Sequence, residues 1–152
     1  MELQHKILFV WRVSNYPNLK GHGGLIVEGR WHTKGHSIVY CADSVACALG
    51  EIEKHLDLPA VLFPPAYQVL KIKIPGSAKI YEFEADKLPD KWLSDYRLTQ
   101  PIGDKWLGSV TTPVAKVPSA LFAERFNYLI NPTHRMSDFI EVIEVLPVGK
   151  FV

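Results

Sequence analysis

One segment sets the terms for the rest of this chain. Over residues 44–56, Val45, Ala48/Leu49, Ile52 and Leu56 recur at helical spacing, whereas most other apolar residues fall in short runs of strand character. Residues 7–13 are apolar and rich in β-formers, and residues 38–41 read as a short buried strand. Residues 67–74 alternate apolar and polar side chains with period two. Residues 79–83, 115–117 and 139–146 add further short strands. Asp43 is expected to cap the helix. Residues 14–20 read as a turn, 21–24 as a flexible Gly-rich piece and 58–65 as a Pro-broken connection. Residues 86–107 read as short helices in an irregular connection. Few helices among many short strands predict an α+β domain, not a doubly wound α/β sheet.

Size and charge narrow the classes of function. The 152 residues suit one domain over 1–152, and no repeat or linker divides them. Lys and Arg total 17 against 16 Asp and Glu, a net charge of +1, which argues against phosphate backbones as main partners. No apolar run approaches the ~20 residues of a membrane span. The stretch from Ile7 to Trp11 is too short for a signal peptide, so a soluble, cytoplasmic protein is expected. Cys41 and Cys47 form no CxxC and are expected to be reduced, buried thiols. The six histidines (5, 22, 32, 36, 55 and 134) show no HExxH, so no metal site is expected. The segment Gly21-His22-Gly23-Gly24 lacks the GK[ST] of a P-loop, and no GxGxxG follows a strand.

Four side chains could carry chemistry. Arg30 lies between Gly29 and Trp31, either stacked on an aromatic ring or offering forked donors to an anion. Ser44, Cys47/Ala48, Glu51 and His55 form a stripe beside the apolar one, so Glu51 either meets solvent or faces a cleft. Glu53 and Lys54 better suit the solvated side. Tyr40 ends a strand, as a core residue with a satisfied hydroxyl or as a ring face for a flat ligand. Ser119 follows Pro118 without a GxSxG elbow, which favours turn chemistry over a hydrolase nucleophile.

Taken in order, these pieces resemble the RES domain family. They are Trp11-Arg12, then Gly29-Arg30-Trp31 with Gly35, then Val39-Tyr40-Cys41-Ala42. Next come residues 44–51 with His55-Leu56, and Gly103-Asp104 with Trp106-Leu107. Val117-Pro118-Ser119-Ala120 and residues 127–132 with His134 complete the set. The resemblance runs from about Trp11 to Ile143. It implies a fold similar to ADP-ribosyltransferase toxins of the diphtheria-toxin type, with central mixed β-sheets flanked by short helices. It also implies the toxin of a bacterial toxin–antitoxin system that depletes NAD by hydrolysis or phosphorolysis. NAD would be a consumed substrate, inorganic phosphate a co-substrate in the second case, and no cofactor would be held. The alternative within the family is mono-ADP-ribosylation of a protein. The implied partner is an Xre-like helix-turn-helix antitoxin. No direct nucleic-acid or membrane contact is implied, and a homodimer within a hetero-oligomeric complex is compatible with the family.

The resemblance places the family's Arg, Tyr, Glu and Ser on Arg30, Tyr40, Glu51 and Ser119. Glu51 would stabilise the cation that develops on the ribose. Tyr40 would stack on nicotinamide, and Arg30 would pair with the pyrophosphate or neighbouring ribose oxygens. Ser119 would bond the ligand or orient Glu51, with Arg12 and Asn127 as further substrate-binding candidates. Three departures stand out. Glu28 replaces a second Gly common before the Arg, and His32 replaces an Asn common after the Trp. The terminal Asp-x-Arg-Leu of many relatives is absent from residues 144–150. A non-catalytic partner-binding module is the competing class, and retention of all four residues argues against it.

Overall fold

The computed structural model describes residues 2–3, in backbone only, and residues 6–152. Met1, Gln4 and His5, on which part of the N-terminal reading falls, lie outside the described residues. The strands are β1 (Glu2–Leu3), β2 (Leu8–Ser14), β3 (Val39–Ala42), β4 (Gln68–Ile74), β5 (Ile80–Glu82), β6 (Val114–Pro118), β7 (Phe126–Ile130) and β8 (Glu141–Pro147). The helices are α1 (His22–Ile26), α2 (Val45–Leu56) and α3 (Tyr96–Ser109). All eight strands join one mixed sheet in the order β1-β5-β6-β7-β3-β2-β4-β8, which confirms the α+β expectation.

The sheet is uneven. β2 pairs with β4 through seven residues, from Leu8↔Ile74 to Ser14↔Gln68. β3 pairs with β7 along its whole length. Between β2 and β3, Trp11↔Ala42 is the sole register pair. Two half-sheets therefore meet at a one-rung seam.

Alternation along the strands gives the sheet two apolar faces. Val10, Val39, Cys41, Leu70, Ile72 and Ile130 belong to the core on the first face. On the second face, Val13, Ala42 and Val69 pack against Cys47, Ala48 and Leu49 of α2. Farther along that face, Ala115, Val117 and Leu129 pack with Trp31, Trp106 and Leu107, the last two from α3. Cys41 and Cys47 are both free and buried, as the sequence suggested.

Four local expectations need correction. The cap of α2 is Ser44, whose Oγ accepts from Cys47 N at 3.1 Å. Asp43 instead accepts from Arg125 Nε at 3.1 and 3.2 Å, from Arg125 Nη2 at 2.9 Å and from Phe126 N at 3.0 Å. It ties the start of β7 to the start of α2. The Gly-rich piece over residues 21–24, read as flexible, opens helix α1 (His22–Ile26), with Gly21 in the left-handed region at φ 70° as its cap. There a Cβ on Gly24 would come 2.4 Å from His36 O, so the glycine permits close packing. Residues 126–130, given no element in the sequence reading, form a central strand.

The largest correction is α3. Pro101 and Gly103 disguise 14 residues of helix inside a stretch that looked irregular. The topology explains the helix. β5 and β6 are parallel neighbours, and a parallel pair needs a long crossover, usually helical. Gly103 has its own reason, since a Cβ there would lie 1.7 Å from Trp31 O. Among the described residues no helix is long and apolar enough to cross a membrane.

Candidate active site

Two groups of side chains lie on the second face of the sheet. The first centres on Glu51, on the half-buried flank of α2. Asn127 Nδ2 donates to Glu51 Oε1 at 3.2 Å, and Ser119 Oγ donates to the same oxygen at 3.4 Å. Ser119 follows β6 and closes the turn into β7. Its Oγ accepts from Leu121 N at 3.2 Å and Phe122 N at 3.0 Å. The hydroxyl thus shapes the turn with its lone pairs and spends its one proton on Glu51. Phe122 packs over α2 at Gly50, where a Cβ would meet its ring at 2.5 Å. Among the described residues no protein group bonds Glu51 Oε2. Among the described residues no group bonds the buried Asn127 Oδ1.

The second group is Arg30 and Tyr40. Arg30 Nη1 donates to Trp92 O at 2.9 Å, and its guanidinium lies 4.7 Å from the Tyr96 ring centroid and 5.8 Å from that of Trp92. The aromatic stacking that the sequence left open is therefore present. Among the described residues no carboxylate pairs with this cation. Tyr40 Oη accepts from Trp31 N at 3.0 Å and lies 2.7 Å from His32 Nδ1. Burial pushes its hydroxyl above the ordinary phenol value of 10.0.

Helix α3 holds this second group. Gln100 Nε2 donates to Gly29 O at 3.0 Å and to Glu28 Oε2 at 2.9 Å. Thr99 Oγ1 donates to Arg30 O. Asp104 accepts from Thr33 N at 3.0 Å and Thr33 Oγ1 at 2.7 Å. Trp92, Tyr96, Thr99, Gln100 and His32 were not singled out as site residues from sequence. For the four within residues 86–107 the only signal was the aromatic and polar content of a stretch whose helix was hidden, and for His32 it was the replacement of an Asn common in the family.

The two groups reach adjacent strands, β3 and β7, but no hydrogen bond joins them among the described residues. Tyr40 pairs with Leu129 and Ala42 with Asn127 on adjacent strands. Tyr40 and Asn127 are therefore diagonal neighbours on one face, at a spacing of about 7–8 Å. Arg12 stands apart. It follows Val10 by two residues, which puts it on the first face, and its Nη1 donates to Asn18 O at 3.3 Å. Burial lowers the pKa of its guanidinium, and the neighbouring Cys41 thiol is pushed up to about 12. Of the solvated pair, Lys54 is exposed, but Glu53 is half-buried and its Oε2 accepts from Ala60 N at 2.9 Å. Among the described residues no group of three His, Cys, Asp or Glu side chains could hold a metal, and His5 lies outside them.

A mixed eight-stranded sheet with flanking helices, Glu51 held by Ser119 and Asn127, and Arg30 stacked on Trp92 and Tyr96, defines an α+β domain. The RES domain model matches residues 9–149, and the chain belongs to that family. It is 35% identical over 127 residues to "Toxin Res" of Pseudomonas putida, covering 84% of this chain and 86% of that one. It is 33% identical over 134 residues to "Prs ADP-ribosylating toxin" of a Sphingobium species, covering 82% of each. Its fold matches a chain in the crystal structure of the M. tuberculosis MbcT–MbcA toxin–antitoxin complex. There the TM-score is 0.77 at 14% identity, over 93% of this chain and 84% of that one.

Proposed function

We propose that this chain is the toxin of a bacterial toxin–antitoxin pair and that it cleaves the nicotinamide–ribose bond of NAD. The observation that carries the reading is the state of Glu51. Two uncharged donors hold one oxygen of its carboxylate, and among the described residues the other oxygen has no protein partner. Loosening the nicotinamide bond builds positive charge on the ribose. A carboxylate fixed in advance beside that charge stabilises the transition state more than the ground state. Glycosidases ask the same of their carboxylates. Tyr40, diagonal to Asn127, supplies a ring face for nicotinamide. Arg30, without a carboxylate partner among the described residues, is matched to the pyrophosphate. Ser119 and Asn127 act through Glu51. Arg12, on the other face, is the weakest of the original candidates for contact with NAD. The names of the Pseudomonas and Sphingobium relatives support a toxin. The MbcT–MbcA match supports the fold. A helix-turn-helix antitoxin would bind operator DNA in this scheme and leave none of that work to the toxin.

The acceptor distinguishes two readings. Water or phosphate would make the enzyme an NAD glycohydrolase or phosphorylase. A protein acceptor would make it an ADP-ribosyltransferase, the activity named in the Sphingobium relative. Purified protein incubated with NAD, with and without phosphate, separates them by product mass. Free nicotinamide with ADP-ribose, or with a phosphorylated ADP-ribose only when phosphate is present, supports the first reading. A modified protein supports the second. NAD left intact under all conditions overturns both.

A further inference from the structure

His32 is only 2% exposed, yet both ring nitrogens are engaged. Nε2 lies 2.9 Å from Val27 O, and Nδ1 lies 2.7 Å from Tyr40 Oη. A carbonyl can only accept, so Nε2 carries the proton and Nδ1 of the neutral ring must accept. Tyr40 therefore donates to His32 while accepting from Trp31 N, and both directions of its hydroxyl are set. The two rings lie 5.5 Å apart, tilted by 48°. Glycines make room for them. A Cβ on Gly29 would come 2.6 Å from Tyr40 Oη and 3.0 Å from His32 Cε1, and one on Gly24 would come 3.1 Å from His32 Nε2.

We infer that His32 is a positioning residue that fixes the Tyr40 ring for its ligand, and that protonation of His32 releases this hold and makes the site acid-sensitive. The inference rests on the proposed role of Tyr40 in NAD binding. The charge balance around His32 supports it. Burial disfavours the imidazolium most, and His36 adds to that. The carbonyls of Val27 and Gly24, and Asp104 from α3, favour it. The outcome is a pKa below the ordinary 6.5, so the ring is neutral at pH 7. Once protonated, Nδ1 becomes a second donor aimed at Tyr40 Oη, and the hydroxyl proton loses its acceptor.

Three measurements test this. First, kcat/KM for NAD should fall along an acid limb below pH 6.5 in the native protein, and His32→Phe should abolish that limb. Second, His32→Phe should raise KM by about tenfold, the worth of one hydrogen bond, with a smaller change in kcat. In a Tyr40→Phe background the same change should add nothing. An acid limb that survives His32→Phe, or additive effects in the cycle, would overturn the inference. Third, nitrogen NMR of the native protein needs neither substrate nor variant. It should find the Nε2–H tautomer of His32 at pH 7.5 and double protonation only below 6.5. A proton on Nδ1 at pH 7.5 would overturn the inference. Should the native protein leave NAD intact, the functional reading fails, and the NMR result with a thermal-stability cycle on the same variants still decides the role of His32.

Discussion

The two halves of the site are built by opposite means. The Glu51 half is assembled from turn and strand chemistry. Ser119 uses the lone pairs that shape its own turn, and Asn127 sits on a strand beside it. In the Arg30 half Tyr40 stands on β3, but the segment that carries Arg30 and His32 belongs to no helix or extended strand. Residues 29–33 form an isolated bridge, Gly29↔His32, and lean on Thr99, Gln100 and Asp104 of α3. The first half is fixed from within, and the second is fixed from outside. The prediction is that the halves respond differently to substitution.

The largest effect belongs to Glu51→Gln. Nicotinamide release should fall by on the order of 100-fold or more, as when a preorganised charge aimed at the transition state is removed. Thermal stability should hardly move, because Gln preserves shape at a half-buried position. Near-native release from the variant would break the carboxylate's assignment. Gly103→Ala tests the dependence of the other half on α3. A methyl 1.7 Å from Trp31 O cannot be accommodated without moving the helix or the bridge. A loss of about 1–3 kcal/mol in a urea melt is expected. NAD affinity should suffer while the Ser119–Glu51–Asn127 cluster persists. Unchanged stability would show that α3 and residues 29–33 are not coupled.

Arg30→Ala should weaken NAD binding, measured by calorimetry, by roughly tenfold or more, as expected for a lost charge-assisted contact. If affinity holds and only turnover drops, the pairing with pyrophosphate is wrong. Ser119→Ala sits at the small end. It removes one donor from Glu51 Oε1 while Asn127 keeps the other, so kcat should fall by tenfold at most. A loss as large as that of Glu51→Gln would mean that Ser119 touches the reacting atoms itself.

The contrast also explains what could be read in advance. The stripe over 44–56 identified α2 and placed Glu51 beside its buried face, and the structure agrees. Periodicity carries no information on the meeting of Glu51 with Ser119 and Asn127, which lie 68 and 76 positions away. The order of the family's pieces suggested them instead. β7 was missed although Phe126-Asn127-Tyr128-Leu129-Ile130 is rich in β-formers bounded by Asn131-Pro132. α3 was unreadable for a physical reason. Pro101 and Gly103 are poor helix residues, tolerated because the parallel β5–β6 connection and the Trp31 backbone require a helix there. His32 looked like a departure from relatives, and its neutral, two-sided bonding became visible only when Val27 O and Tyr40 were placed around it.

The single rung between β2 and β3 bears on how the protein comes apart. Cooperativity passes through a sheet by its ladder, and here the ladder narrows to Trp11↔Ala42. Much of the bond between the halves falls to α2, whose Cys47, Ala48 and Leu49 pack on Val13 from one side and Ala42 from the other. The helix that carries Glu51 is thus the bolt across the hinge. Native-state amide exchange should reveal two cooperative blocks, β2-β4-β8 and β1-β5-β6-β7-β3, with α2 releasing last. An enzyme so arranged loses its carboxylate's setting at the moment its two blocks separate, which ties activity directly to the integrity of the whole sheet.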